Sequence, residues 1–145
     1  MSVAEQVQED ARAALKAGDR QRAGALRLIA SELQRAQKDG AGSADEVEVL
    51  QRERKRRLES AQAYRDGGRE DLATTEESEA RLIEAYLPQQ LGDDELAAIV
   101  ESAIAESGAS SQRDMGGVMK LVMGQVRGRA DGKRVSAAVK EKLTA

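Results

Sequence analysis

Six cations and five glycines fall within 22 residues near the carboxyl end of the chain: Arg113, Lys120, Arg127, Arg129, Lys133 and Arg134, interleaved with Gly116, Gly117, Gly124, Gly128 and Gly132. The chemistry this combination suits is the binding of phosphate. Guanidinium and ammonium groups make short, charge-assisted hydrogen bonds to phosphate oxygens, and a helix face without Cβ atoms lets a sugar–phosphate backbone come close. The loop Arg127-Gly-Arg-Ala-Asp-Gly-Lys-Arg134 adds backbone amides at the start of a helix, where an anion is favoured. The same glycines also have a packing explanation, the close approach of a second helix. Each glycine inside a helix costs roughly 0.8–1 kcal/mol relative to alanine, so Gly116, Gly117 and Gly124 need one of the two roles, and the sequence leaves both open.

Acid–base and covalent chemistry have few residues to draw on. The 145 residues contain no histidine and no cysteine, which removes the commonest general base, the commonest metal ligand and the thiolate nucleophile. No Gly-rich loop closes in Gly-Lys-Ser/Thr, so a P-loop is excluded. No catalytic residue, cofactor or metal is expected. Glu76, Glu77, Glu79 and Glu84 could hold a divalent ion only in a glycine-bounded loop, which they lack, so they read as a solvated helix face. With no Phe or Trp and only Tyr64 and Tyr86, base stacking on an aromatic platform is disfavoured too. A nucleic acid would be recognised by its shape and phosphates.

Helices must hold these residues. A core of Ala, Val, Leu, Ile and Met suits close helix packing better than sheets, and the fold class is all-α. On a helical wheel, residues 113 to 127 separate Met115, Val118, Met119, Val122, Met123 and Val126 into one apolar arc, read as core. Arg113, Lys120 and Arg127 fall together beside it, with the three glycines in the same or neighbouring directions. Ser111 is placed to cap this helix, Gly128 to end it in the left-handed region, and Asp131-Gly132 to start a last helix on Val135, Ala138, Val139 and Leu143. Leu96, Ile99, Val100, Ala103 and Ile104 define the helix before, closed by Gly108.

Ahead of these, capping boxes at Ser2-Val-Ala-Glu5 and Ser43-Ala-Asp-Glu46 open two helices. The first buries Val3, Val7, Ala11, Ala14 and Leu15 and stops at Gly18. Asp19 caps a second, with Leu26, Ile29, Ala30 and Leu33, that ends at the turn Asp39-Gly-Ala-Gly42. A third runs from Asp45 to the region of Arg65 on Val47, Leu50, Leu58 and Ala61, and terminates at Gly67-Gly68. A fourth spans Glu70 to Leu87 on Leu72, Leu82, Ile83 and Tyr86, with a polar middle from Thr74 to Glu79. The only proline, Pro88, marks the boundary between an N-terminal four-helix bundle, residues 1–88, and a C-terminal three-helix domain, residues 93–145, joined by a linker at 89–92.

The net charge of −3 is unevenly spread. Residues 113–145 hold eight Lys and Arg against three Asp and Glu, which points to an anionic partner for this end. The run Arg52-Glu-Arg-Lys-Arg-Arg57 is also basic, but its charges point around the whole helix and Glu48, Glu53 and Glu59 are near enough to pair with them, so it reads as a solvated helix. No signal segment opens the chain, and no apolar stretch approaches the roughly 20 residues of a membrane span. A cytoplasmic protein without membrane contact is expected.

Longer runs carry a family likeness. Asp114-Met-Gly-Gly-Val-Met119 and Val126-Arg-Gly-Arg-Ala-Asp-Gly-Lys133 join Leu26-Arg-Leu-Ile29, Ser31-Glu-Leu33, Gly67-Gly-Arg-Glu-Asp-Leu72 and Glu84-Ala-Tyr-Leu-Pro-Gln-Gln-Leu91, and together they cover nearly the whole chain in order. In these runs the chain resembles the GatB/YqeY family, specifically its stand-alone YqeY-like members. The resemblance implies two all-helical parts similar to the helical and tail domains of the B subunit of aspartyl/glutamyl-tRNA amidotransferase, whose tail contacts tRNA. It carries basic tail positions onto Lys120, Arg127, Arg129 and Lys133. Glutaminase chemistry and carboxylate phosphorylation belong to other domains of those relatives. The expected function is a tRNA-binding accessory module that is not catalytic by itself. Two others stay open: an adaptor for an aminoacyl-tRNA synthetase or amidotransferase subunit, and a part in a carbon–nitrogen ligase activity with glutamine as amido-nitrogen donor.

Overall fold

The computed structural model describes residues 1–39 and 45–144. Among them are seven α-helices and no strand, the all-helical class that a core nearly free of aromatics favours. The chain divides into two compact units, Met1–Leu87 and Pro88–Ala145. No helix among the described residues is long and apolar enough to cross a membrane.

In the first unit, α1 (Val3–Lys16) pairs with α2 (Arg20–Asp39), and α3 (Glu46–Asp66) with α4 (Glu70–Glu84). Local chemistry sets the ends. The Ser2 hydroxyl accepts the amide N–H of Glu5 at 3.1 Å, and the Glu5 carboxylate accepts that of Ser2 at 3.3 Å. Asp19 accepts the amide N–H of Arg22 at 3.1 Å and so starts α2. Ser43 and the glycine turn at 40–42 lie outside the described residues; α3 opens on Asp45, whose carboxylate accepts the Val47 N–H at 2.9 Å. α4 stops at Glu84, short of the expected Leu87. Leu87 precedes Pro88, and the proline ring pushes the preceding residue out of helical geometry.

The core of this unit is built from Val7, Ala11, Leu26, Ile29, Leu33, Leu50 and Ile83. Two leucines expected inside face water: Leu15 is 46 % exposed and Leu58 38 %. Leu58 lies about 100° around α3 from the seam set by Leu50, Glu53, Arg57 and Ala61, and Leu15 about 60° from the centre of the stripe made by Ala4, Val7, Ala11 and Ala14.

Further along the α3–α4 hairpin the seam turns ionic. Glu53 is only 3 % exposed. Arg57 lies 3.8 Å from Glu53, 3.6 Å from Glu76 and 3.4 Å from Glu79; Arg54 meets Glu84 at 2.8 Å, and Arg65 meets Glu77 at 2.6 Å. The basic run of α3 and the acidic middle of α4, both expected as solvated faces, are therefore two sides of one interhelical seam. Partial burial holds the Glu79 carboxyl above its ordinary range, against the opposing pull of Arg57.

The second unit packs α5 (Asp93–Ser107), a 3₁₀ turn (Gln112–Asp114), α6 (Met115–Val126) and α7 (Gly132–Thr144) around Leu96, Val100, Val118, Val122, Val135 and Val139. Residues 89–92, expected as a linker, fall within this unit. Leu91 is buried in the core, and its amide N–H donates to the Arg129 carbonyl at 2.8 Å. The Gln90 side-chain amide donates to the carbonyls of Pro88 at 2.9 Å and Gly128 at 2.7 Å. A free linker would leave Leu91 in water; its burial fixes the segment.

Candidate functional site

The basic, glycine-rich segment takes its shape from α6 and the turns on either side. α6 begins at Met115, so Arg113 belongs to the 3₁₀ turn before it. That turn is tightened by the Ser111 hydroxyl, which accepts the Arg113 N–H at 3.3 Å, and by the Asp114 carboxylate, which accepts the Ser110 N–H at 3.0 Å. At the other end Arg127 has left helical geometry, with φ 5° and ψ 92°, and Gly128 follows in the left-handed region at φ +80°. The single helical strip of Arg113, Lys120 and Arg127 is thus corrected: Lys120 alone lies on the regular helix, and the two arginines stand at its ends.

The apolar arc of α6 faces inward as its periodicity requires. Val118, Val122 and Val126 are fully buried, with Met115, Met119 and Met123 half-buried against the same core. The opposite face consists of Gly116, Gly117, Lys120 and Gly124, all exposed. A Cβ built at any of the three glycines meets nothing within 4 Å. Among the described residues, no helix of the second unit packs into that space, so the packing explanation has no support inside the unit. Gly132, the first residue of α7, is equally open, whereas Gly128 is buried beneath the Gln90 amide.

The six cations do different work. Arg113, Lys120, Arg127 and Lys133 are exposed, and the side chains of Arg113, Lys120 and Lys133 form no hydrogen bond or ion pair among the described residues. Arg129 and Arg134 are tied into the unit. The Arg129 Nε donates to the Gln89 carbonyl at 3.1 Å, and the Arg134 guanidinium donates to Asp93 at 2.9 Å. Asp131 accepts the Arg134 amide N–H at 2.8 Å and so caps α7. Gln90, which holds the basic loop at Gly128, is the residue that sequence reasoning missed. Its only signal was its place in Pro88-Gln-Gln-Leu91, because its partner lies 38 residues on.

The charge of this region is local. Residues 88–145 hold eight Lys and Arg and eight Asp and Glu, since the excess of cations after residue 112 is offset by Asp93, Asp94, Glu95, Glu101 and Glu106 of α5. The excess of positive charge is therefore confined to the α6 face, the adjoining turns and α7.

No curated protein matches the chain. A family model described as Yqey-like protein matches residues 4–143, and so takes in both units and every basic and glycine position named above. The chain belongs to the family of Yqey-like proteins.

Proposed function

We propose that this chain is a tRNA-binding accessory module that carries out no bond-making step of its own. The observation that carries this reading is the open glycine floor of α6. Gly116, Gly117 and Gly124 leave bare backbone on a solvent face around Lys120, with Arg113 and Arg127 at its ends and Lys133 at the start of α7. Glycines inside a helix are costly, and a sugar–phosphate backbone is a partner that both the bare surface and the cations accommodate. tRNA in particular is suggested by the resemblance of the two helical parts to the helical and tail domains of the amidotransferase B subunit. The setting this reading requires is the cytoplasm, where tRNA is charged and used.

The test is a titration with an unmodified tRNA transcript across a potassium chloride series. Arg113→Gln, Lys120→Gln and Lys133→Gln together are expected to lower affinity at least tenfold at low salt. Each lost phosphate contact should reduce the slope of log K against log salt by roughly 0.7–0.9. Salt-independent binding by the wild type, or a triple variant that binds equally well, would sink the proposal.

A second reading rests on Met119 and Met123, which lie half-buried on the helix that carries the glycine floor and suit an adaptable protein contact. An adaptor predicts that Gly117→Leu with Gly124→Leu abolishes capture of a synthetase or amidotransferase subunit while tRNA affinity is unchanged. Under our proposal the same pair weakens tRNA binding. Carbon–nitrogen ligation with glutamine as amido donor is assigned to partner subunits: purified chain given glutamine, ATP and misacylated tRNA is expected to show no turnover.

A further inference from the structure

α2 carries a basic face that is dilute in the sequence and continuous on the helix. Residues Arg20–Asp39 form one uninterrupted α-helix, so side chains three, four and seven positions apart share a side. The inner side holds Ala23, Leu26, Ile29, Ala30 and Leu33, all buried. On the outer side Arg20, Gly24, Arg27, Ser31, Arg35 and Lys38 fall within an arc of about 80°, and all six are exposed. No Asp or Glu falls in that arc. Beside the arc, Glu32 lies 3.9 Å from Arg35. The side chains of Arg20, Arg27 and Lys38 make no hydrogen bond or ion pair among the described residues.

Average charge does not produce this face. Residues 1–87 hold 15 Lys and Arg against 18 Asp and Glu, yet one helix side collects four cations and no acid. At 1.5 Å rise per residue the row from Arg20 to Lys38 is about 27 Å long. It is low between the cations: a Cβ at Gly24, between Arg20 and Arg27, would meet nothing within 4 Å, and Ser31, between Arg27 and Arg35, is short.

We propose that this outer face of α2 is a second phosphate-binding ledge, which lies along the sugar–phosphate backbone of the same folded RNA. The inference rests on the tRNA-binding reading of the chain and extends it to the first unit. Three of the four cations are arginines, whose planar fork suits phosphate oxygens. A helix lying in a lipid surface needs a broad apolar side to bury, and the exposed side here offers only Leu28, 53 % exposed. A protein interface is enriched in aromatics and methionine as well as arginine, and this face carries neither an aromatic nor a methionine. A long row of cations with short residues between them matches a polyanion that is contacted at its phosphates and read by shape.

The experiment uses the full chain and the unmodified tRNA transcript across a potassium chloride series. Arg20→Gln, Arg27→Gln and Lys38→Gln are combined in one variant and compared with wild type and with the Arg113, Lys120 and Lys133 variant. All three α2 side chains are exposed, and far-ultraviolet circular dichroism melts check that the fold is kept. The expected result is at least a tenfold loss of affinity at low salt and a slope reduced by roughly 2–3, three contacts' worth. If the α6–α7 variant weakens binding while the α2 variant matches wild type, the ledge is overturned and the tRNA-binding reading stands. If the α2 variant alone weakens binding, the ledge is supported and the α6 site fails. A wild type without salt-dependent binding overturns both. Retention on phosphatidylcholine–phosphatidylserine vesicles that the α2 variant loses, with its tRNA isotherm unchanged, also overturns the ledge.

Discussion

Glu46, the first residue of α3, accepts the amide N–H of Ala4 at 2.8 Å with one carboxylate oxygen, and with the other it accepts that of Val3 at 3.2 Å. A side chain of one hairpin thus caps the first helix of the other. Two donors that α1 cannot satisfy internally find partners there, and negative charge meets the positive end of the helix. Glu46→Ala is expected to destabilise the protein by about 1–2 kcal/mol, read as a lower urea midpoint at an unchanged m-value. A midpoint equal to wild type would mean that the contact contributes nothing in solution.

The glycine floor of α6 separates stability from binding. Because a Cβ at Gly117 or Gly124 meets nothing within 4 Å, alanine at either position should raise stability by about 0.8–1 kcal/mol. Leucine at both should keep the fold and impair tRNA binding by blocking the face. Thermal melts and tRNA titrations on the same samples check both halves; an alanine variant that melts lower would show that the open space is in fact needed by the fold.

Arg129 and Lys133 should behave oppositely although both are cations of one loop. Arg129→Gln removes a guanidinium donor from the Gln89 carbonyl and should cost about 1 kcal/mol of stability. Lys133→Gln touches no internal partner, and its melting should stay within about 0.5 kcal/mol of wild type while tRNA affinity falls. Equal effects of the two substitutions on melting would contradict this division of labour.

Glu79 gives the ionic seam a pH signature. Burial is the leading cause of its raised carboxyl pKa, with Glu76 adding to it and Arg57 opposing. A raised carboxyl favours the folded state when protonated. Its contribution is therefore fully present below the ordinary value of 4.5 and is lost as pH rises through the folded value. Glu79→Gln should abolish this component, so the stability of wild type relative to the variant shrinks between about pH 4 and pH 7. Chemical denaturation at both ends of that window measures it; a difference that is constant or grows with pH would refute the assignment.

Helix ends were legible because capping is local chemistry. Ser2, Asp19, Gly108 and Ser111 act on residues within a turn of themselves. The apolar arc of α6 was legible for the same reason, since periodicity along one helix decides burial. The partners of Arg57, Arg129, Arg134 and Gln90 were hidden, because each lies on a distant segment that only the fold brings close. Treating residues 113–127 as one helix misplaced the two end arginines, as the Ser111 and Asp114 hydrogen bonds tighten the entry and Gly128 redirects the exit. On α2 the cations stand seven, eight and three residues apart, too thinly for charge density to flag them, though a wheel over Arg20–Asp39 would have lined them up.

The equal numbers of positive and negative side chains in residues 88–145 bear on how a partner is met. The exposed acids of α5 and the bare, lysine-centred side of α6 belong to two helices packed on a common core. Under the proposed binding of a folded RNA, a unit of zero formal charge would exert almost no long-range pull on the polyanion but would feel a torque near it. It would rotate so that the α6 side leads, and would do so within about 8 Å at physiological ionic strength, the distance over which mobile ions screen a field. Orientation at contact, more than the frequency of encounter, is what such a charge arrangement improves.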